Sequence, residues 1–233
     1  MWWFAALHSN LMTLYERNGG TEFGGARLLD AGCGTGGLLA QLARRYPAQE
    51  TVGVDASALA CALAARKSAR PVCAGSVNAL PFADAAFSAI FSADVLCHRE
   101  VDDARALAQF HRCLAAEGIL ILNLPAYRWM MSRHDAAVYN ARRYTKGSVV
   151  ALLRTAGFRP LFASYWNTVL FPLMAITRKL LPAGGDVRPQ PAIVEALSRA
   201  ATGIERALLR AGLVLPFGGS VLAIATKTEN PHG

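Results

Sequence analysis

Four glycines within six residues, directly after a short apolar run, constrain the fold of this chain more than any other feature. The stretch Arg27–Gly37 (RLLDAGCGTGG) passes from apolar residues through Asp30 into these glycines. Glycine permits positive φ angles, and it lets backbone N–H groups and a helix N-terminus approach a ligand closely. The stretch therefore predicts a strand, a tight turn and a helix, with a ligand site at the carboxyl end of the strand.

The glycine spacing by itself leaves the ligand undecided. Glycines at 32, 34 and 37 satisfy the G-x-G-x-x-G pattern of dinucleotide sites, so a nicotinamide-dependent oxidoreductase is one hypothesis. A glycine turn that holds no ligand is another, because short motifs also occur by chance. Other segments of the chain must separate these hypotheses.

The remainder of the first half alternates strand-like apolar runs with helical patterns. Strands are predicted at 27–30, 51–55, 71–74, 87–92 and 118–124, and helices at 5–17, 38–46, 57–67 and 102–114. Such alternation predicts an α/β fold with a doubly wound sheet. We expect the N-terminal helix to cover the edge of that sheet.

The pattern changes after Pro125. A helix is predicted at 145–156, a strand at 158–164, a long amphipathic helix at 193–211 and a last strand at 220–226. The apolar segment Trp166–Leu181 is interrupted by Pro172, and it is too short for the roughly 20 residues that a membrane-spanning helix needs.

Length and cysteine content favour one domain in a reducing compartment. The 233 residues suffice for a single domain with a large core. The five cysteines are an odd number without a C-x-x-C pair, which argues against a disulfide framework or a zinc site. The first residues lack the basic region of a signal peptide, so we expect a cytoplasmic protein. No cluster of histidines, cysteines or carboxylates has metal-ligand spacing, and no metal site is predicted.

Positive charge is concentrated in the second half of the chain. The net charge is +8, and ten of the 24 lysines and arginines fall between residues 125 and 188, with two acids. A basic surface indicates an anionic small molecule, a lipid headgroup layer or nucleic acid as partner, although a solvated face without a partner explains it equally. The adjacent apolar segment favours peripheral contact with anionic lipid at the inner membrane face. No interleaving of aromatic and basic residues supports a nucleic-acid partner.

Segments after Asp55 separate the possible cofactors. Four of them follow the glycine turn in order: NALPF at 78–82, FSAIF at 87–91, DVLCH at 94–98 and RCLAAEG at 112–118. Over residues 27–124 the chain resembles class I S-adenosylmethionine-dependent methyltransferases of the small-molecule, type 11 kind. The resemblance implies a Rossmann-like sheet that is mostly parallel with an antiparallel last strand. It also implies helices on both faces and a helical insertion before that strand.

A wider set of segments extends the resemblance to bacterial methyltransferases of polysaccharide and lipid-linked pathways. These segments are Trp2–Phe4, His134–Asp135, Arg142–Thr145, Leu170–Pro172 and Pro216–Ser220. The implied organisation is a single methyltransferase domain over 1–233. Its parts are an N-terminal helical cap at 1–25, a cofactor-binding half at 26–124, an acceptor-binding segment at 125–215 and the last strand at 216–227.

The same resemblance implies a cofactor site for S-adenosylmethionine. Its methionine part would be lined by Asp30, Gly32, Cys33, Gly34 and Gly36. Asp55, with Ala56 beside it, would accept both ribose hydroxyls, because a carboxylate can accept two donors at once. The adenine would face Ser76 and Val77, and the sulfonium would lie over Ala93.

Two departures from the family pattern bear on that site. An acid is usual where this chain has Ser76, so Ser76 or Asn78 is expected to contact the adenine amino group. The arginine usual shortly after the tryptophans is absent, and Ala5–His8 takes its place.

Catalytic residues are predicted from the chemistry of methyl transfer. The leaving group is already activated, so alignment of nucleophile and methyl group supplies much of the rate, and a base is needed only for a protonated nucleophile. His98 and His134 are the predicted bases, with packing as the alternative for His98. Tyr144 is the third predicted catalytic residue. Arg142 and Arg143 would bind a phosphate or carboxylate of the substrate, or form a solvated lead-in to the next helix.

The predicted function is S-adenosylmethionine-dependent methyl transfer to an oxygen or nitrogen of an anionic or amphipathic small molecule. A lipid-linked glycan or a natural-product intermediate would fit this description. The alternatives are a non-catalytic binding subunit on the same fold and a nucleic-acid methyltransferase. The oligomeric state is not predicted.

Overall fold

A computed structural model describes residues 2–20, 26–132, 135, 137, 139–172, 175 and 192–228. Its strands are β1 (Arg27–Ala31), β2 (Glu50–Asp55), β3 (Val72–Ala74), β4 (Phe87–Ala93), β5 (Leu114–Pro125), β6 (Phe158–Trp166) and β7 (Ser220–Lys227). Its helices are α1 (Trp2–Arg17), α2 (Gly37–Arg45), α3 (Ala58–Ser68), α4 (Asp103–Cys113), α5 (Lys146–Thr155) and α6 (Ala192–Arg210), with a 3-10 turn at Arg128–Met130.

The seven strands form one mixed sheet in the order β3-β2-β1-β4-β5-β7-β6. Strands β1 to β5 pair in parallel, and β7 lies between β5 and β6, antiparallel to both. The prediction of a doubly wound, mostly parallel sheet with an antiparallel last strand is confirmed. An all-parallel dinucleotide-binding sheet lacks such a strand.

The strands are buried on both faces, as their continuous apolar runs require. One face packs against α4 and α5, and the other against α1, α2 and α6. Helix α3 contacts α2 and therefore lies on the second face. Helix α1 covers a face of the sheet and not its edge, so that expectation was wrong. Its leucines at 7, 11 and 14 contact Phe91 and Ile121 of the central strands, because a continuous apolar stripe needs a wide apolar surface.

Helix starts agree with the sequence because each carries its own cap. Ser57 accepts a hydrogen bond from the Ala60 N–H at the start of α3, and Asp102 accepts one from Arg105 N–H at the start of α4. Thr145 caps α5. Such caps satisfy backbone N–H groups that have no partner in the first turn.

No helix within the described residues is long and apolar enough to cross a lipid bilayer. Most of the apolar segment after Pro172 lies outside the described residues.

Two glycines of the turn after β1 have positive φ for different reasons. Gly36 (φ 78°) lies against α3, and a Cβ there would be 2.6 Å from the Ala64 Cα. Gly34 (φ 50°) has no atom within 4 Å of the place where a Cβ would lie. Of these two, Gly36 is therefore required for packing as well as for backbone conformation, and Gly34 for backbone conformation alone.

We expect Gly36→Ala to lower the free energy of unfolding by about 3 kcal/mol, from left-handed strain plus overpacking. Gly34→Ala, the matched control, carries the strain alone and should cost about 1 kcal/mol. Urea unfolding of the ligand-free variants measures both values. Equal losses would show that α3 moves away at no cost.

Candidate active site

A cleft of about 880 Å³ opens at the carboxyl ends of β1, β2 and β4. Parallel strands place their carboxyl ends at one edge, where open α/β sheets bind ligands. The lining residues from α1, the glycine turn, β2, the segment after β3 and the end of β4 include Phe4, His8, Asp30, Gly32, Cys33, Gly34, Asp55, Ala56, Ser76, Val77, Ala93, Asp94 and His98. Nine of the ten predicted cofactor-binding positions are thus brought together in one cleft.

The glycine turn is held by the neighbouring strand. The N–H groups of Gly32 and Cys33 both donate to the Val54 carbonyl, at 2.8 and 2.9 Å. A Cβ on Gly32 would lie 2.3 Å from a methyl group of Val95, so only glycine fits there. Burial raises the pKa of the Cys33 thiol, which stays neutral. Gly36 does not line the cleft, and its expected cofactor contact is replaced by the packing against α3.

Asp55 lies where β2 ends, with its carboxylate held by main-chain donors. Oδ2 accepts a hydrogen bond from the Gly34 N–H at 2.8 Å, and Oδ1 accepts one from the Ser57 N–H at 2.9 Å. Each oxygen of an ionised carboxylate can accept about two hydrogen bonds, so both retain capacity for a ligand. The carboxylate is oriented before any ligand binds.

Two buried side chains of the cleft carry polar atoms without a partner. Within the described residues, Oδ2 of Asp30 and Nδ1 of His8 make no hydrogen bond, although these residues are only 2% and 7% exposed. Burial raises the pKa of Asp30 to about 7 and lowers that of His8 to about 4. Leaving such groups unsatisfied is costly, so the cleft favours a ligand with both a donor and an acceptor at this end. The ammonium and carboxylate of an amino-acid group meet that requirement.

The residues that line the cleft next to β3 agree only in part with the prediction. Ser76 and Val77 line it, but Asn78 does not. The Asn78 amide donates to the Glu100 carbonyl and accepts from the Asp102 N–H, at 2.9 and 3.0 Å. Asn78 therefore joins the segment before α4 to the loop after β3, and Ser76 is the one of the two that lines the cleft.

The end of β4 contributes two titratable groups to the cleft. His98 is half-buried, and burial lowers its pKa, although a hydrogen bond to the Asp94 carbonyl acts in the opposite direction. Asp94 follows Ala93 with a left-handed backbone (φ 57°), and burial raises its pKa to about 7. The sequence analysis did not select Asp94, though a carboxylate directly after a strand was the signal used for Asp30 and Asp55.

Arg142 binds the protein's own main chain. Its guanidinium donates to the carbonyls of Leu96, His98 and Val101 in the segment between β4 and α4. The predicted role in binding a substrate phosphate is therefore corrected, because these donors are already used.

Arg143 and Tyr144 are also internal. Arg143 forms a buried ion pair with Asp135 at 2.7 Å, and its side chain is 4% exposed. The Tyr144 hydroxyl lies 3.0 Å from the Leu96 carbonyl and 3.1 Å from Asp103, and burial raises its pKa. Neither residue lines the cleft, which corrects the substrate-binding and catalytic predictions. His134 lies outside the described residues.

An aromatic cluster lies along the same sheet edge, beyond β5. Tyr127 stacks on Tyr165 and Trp129, with ring centroids 5.1 and 5.9 Å apart, and Phe171 contacts Tyr127 and Phe217. Trp129 is 49% exposed and Phe217 is 41% exposed. Exposed aromatic groups of this extent indicate a binding surface for an apolar body.

Within the described part of the chain, no three His, Cys, Asp or Glu side chains are arranged to hold a metal ion.

Comparison with known proteins places this cleft in a family context. A family model described as "Methyltransferase domain" matches residues 29–122. The O-methyltransferase cnsE of Penicillium expansum is 31% identical over 147 residues, covering 58% of this chain and 52% of that protein. A malonyl-[acyl-carrier protein] O-methyltransferase of Geobacter sulfurreducens is 31% identical over 153 residues, covering 58% and 56%. The chain spans about half the length of the curated relatives it matches.

Solved structures share the fold over most of the chain. The [4+2]-cyclase SpnF has a TM-score of 0.60 and 25% identity, covering 93% of this chain and 81% of that one. Geranyl diphosphate C-methyltransferase from Streptomyces coelicolor A3(2), solved with S-adenosyl-L-homocysteine, has a TM-score of 0.59 and 16% identity, covering 87% and 73%.

The raised pKa of Asp30 predicts a pH-dependent stability. Folding holds this carboxyl protonated up to about pH 7, whereas the unfolded chain ionises near its ordinary value of 3.8. Its contribution to stability is therefore present below about pH 4 and is lost as the pH rises to about 7. Relative to the wild type, Asp30→Asn should gain stability over that interval, by at most about 4 kcal/mol at pH 8. Urea unfolding across pH measures this, and a pH-independent difference between the two proteins would contradict it.

Proposed function

We propose that this chain transfers a methyl group from S-adenosylmethionine to an oxygen or nitrogen of a small molecule, because residues 29–122 match a family model described as "Methyltransferase domain". The observation that carries the proposal is the convergence of Asp30, Asp55 and the open backbone of Gly34 on one cleft. Two named O-methyltransferases among the relatives favour oxygen as the accepting atom.

Each part of the cofactor has chemically suitable residues in the cleft. Asp55 would accept hydrogen bonds from the ribose hydroxyls, and its two oxygens are already oriented by main-chain donors. His8 would donate to the carboxylate of the methionine part, and Asp30 would face the ammonium. His8 thereby replaces the arginine that is usual in the family. When bound, the cofactor supplies an activated methyl group on a positively charged sulfur.

The residues of this chain act mainly by positioning. Helix α1 places Phe4 and His8 over the amino-acid end of the cleft, where they exclude water. Arg142 holds the segment after β4 by its carbonyls, and this segment carries the cleft residues Val95 and His98. Alignment of two reactants in a fixed site accounts for a large part of such a rate enhancement.

The acceptor is proposed to be amphipathic, with an apolar or aromatic body. The aromatic cluster of Tyr127, Trp129 and Phe217 supports this, since it lies at the sheet edge beside β5 and presents exposed rings. The two arginines expected to bind an anionic group are used internally. Peripheral membrane contact, a lipid-linked acceptor and a cytoplasmic location stay predictions, because much of the basic and apolar segment falls outside the described residues.

A second candidate is a protein that uses this fold without transferring a methyl group. The similarity to SpnF, which is named as a [4+2]-cyclase, supports keeping this candidate. Formation of S-adenosylhomocysteine during turnover would separate the two functions.

Calorimetric titration with S-adenosylhomocysteine tests the cofactor. We expect saturable binding to the wild type, about 100-fold weaker binding to Asp55→Asn from loss of charged hydrogen bonds, and none of NAD. Asp84→Asn is the control, since the Asp84 side chain is 78% exposed and pairs with Arg112 away from the cleft. Binding of NAD without binding of S-adenosylhomocysteine would replace the proposal with the nicotinamide hypothesis.

Comparing two ligands tests the contribution of His8. We expect His8→Ala to weaken binding of S-adenosylhomocysteine about tenfold, because a buried hydrogen bond is lost. Binding of 5′-methylthioadenosine, which lacks the ammonium and carboxylate, should not change. His111→Ala is the matched control, because His111 is a half-buried histidine on α4 beside Phe158. Equal weakening of both ligands by His8→Ala would assign His8 to packing alone.

A further inference from the structure

A chain of side-chain hydrogen bonds, the polar relay, connects Asp94 after β4 to Trp166 at the end of β6. The Asp94 Oδ1 accepts a hydrogen bond from the Asn123 amide at 2.9 Å. The Asn123 Oδ1 accepts one from the Trp166 indole N–H at 2.7 Å. Trp166 is fully buried and stacks on Trp3 of α1, with ring centroids 4.5 Å apart. The relay thus joins β4, β5, β6 and α1.

The relay determines which way the Asn123 amide faces. An indole N–H can only donate, so the amide oxygen must face Trp166 and the amide NH₂ must face Asp94. Asn123 is fully buried and cannot turn its amide towards water. The Asp94 carboxylate therefore always meets a donor at Oδ1, which orients it and favours its ionised form. No hydrogen bond to Oδ2 is made from the described residues.

The backbone reinforces the same orientation. Asp94 adopts a left-handed conformation, which few residues other than glycine adopt. Its N–H donates to the Asn123 carbonyl at 2.8 Å, so main chain and side chain are held by the same residue. Asp94 lines the cleft together with Ala93 and His98. A non-glycine residue held in this way at a binding cleft supports a functional role.

We propose that Asp94 is a catalytic base that accepts the proton of a hydroxyl acceptor, with Asn123 and Trp166 as the residues that position its carboxylate. This assignment rests on the proposed function. It names the substrate class as an alcohol or phenol. A carboxylate acceptor needs no base, and it would be repelled by the ionised Asp94.

The step balances without a further reactant. The acceptor oxygen forms a bond to the methyl carbon as the carbon–sulfur bond breaks, and that electron pair stays on sulfur as a neutral thioether. The hydroxyl proton passes to Asp94 Oδ2, and the carboxylic acid then returns it to water. His98 donates one ring N–H to the Asp94 carbonyl, so it also fixes this segment.

Two carboxyl groups of the cleft change charge near neutral pH, Asp30 and Asp94, and the variant Asp94→Asn distinguishes their effects. Burial raises the pKa of Asp94 to about 7, while the Asn123 hydrogen bond and the charge of Arg143 lower it. Arg143 is paired with Asp135 at 2.7 Å. Burial raises the pKa of the Cys97 thiol and lowers that of His98, so both are neutral above about pH 7.

The test compares S-adenosylmethionine with S-adenosylhomocysteine by calorimetry from about pH 5.5 to about pH 9. An ionised Asp94 beside the reacting centre attracts the sulfonium and not the neutral thioether. We expect the affinity ratio of the two ligands to rise about fivefold or more through the pKa of Asp94. Asp30, Asp55 and His8 contribute to the binding of both ligands. The part of their contribution that is equal for the two ligands cancels in the affinity ratio.

Two variants and a control make the assignment falsifiable. Asp94→Asn should give a low ratio that does not change with pH, and Asp84→Asn should behave as the wild type. Trp166→Phe frees the Asn123 amide to turn, so it should move the midpoint of the ratio to higher pH. Thermal melting confirms that each variant is folded. An unchanged ratio and pH profile in folded Asp94→Asn would overturn the assignment.

The result separates this assignment from the proposed function. A wild-type protein that binds neither ligand overturns both, whereas binding with a pH-independent ratio overturns only the role of Asp94. Malonyl coenzyme A, a probe with a free carboxylate, tests the substrate class. We expect no methyl ester from it, and ester formation by the wild type would overturn the hydroxyl assignment.

Discussion

The cleft of this protein is built around three carboxyl groups at the carboxyl-terminal edge of its parallel strands. Asp30, Asp55 and Asp94 follow or end the adjacent strands β1, β2 and β4, and all three line the same cleft. Burial of a carboxylate is costly unless donors or positive charge compensate it. Two main-chain N–H groups compensate Asp55, whereas the pKa values of Asp30 and Asp94 rise to about 7. A ligand that brings an ammonium and a sulfonium would offset the charge of these carboxyl groups.

Arg142 and Arg143, in the second half of the chain, form internal hydrogen bonds and an ion pair that stabilise the fold. Arg142 uses its Nε and one terminal nitrogen on main-chain carbonyls between β4 and α4. Arg143 neutralises Asp135 in the interior. Net charge along a sequence therefore overstates the positive surface available for a substrate. The aromatic cluster beyond β5 is the more informative feature about the proposed acceptor, because two of its rings, Trp129 and Phe217, are exposed.

The two tryptophan positions connect the N-terminal helix with the proposed reaction site. Trp3 stacks on Trp166, and Trp166 orients Asn123 beside Asp94. Helix α1 also brings His8 to the opposite end of the cleft. One helix thus contacts both ends of the site, although it lies outside the segment matched by the methyltransferase model. This explains why the cleft cannot be understood from residues 29–122 alone.

Local and periodic features were predictable from the sequence. The strand–helix alternation, the caps at Ser57, Asp102 and Thr145, and the glycine turn all depend on neighbouring residues, so their physics is contained in short segments. The tertiary structure alone decided which polar side chains face the cleft. Arg142 bonds to carbonyls more than 40 residues away, and Trp166 bonds to Asn123, 43 residues away. Such partners meet only in the folded chain. The sheet order, in which β7 lies between β5 and β6, sets which of their side chains can reach each other. The sequence by itself determined the fold class and the cofactor-binding edge, and tertiary packing decided which side chains remain free for chemistry.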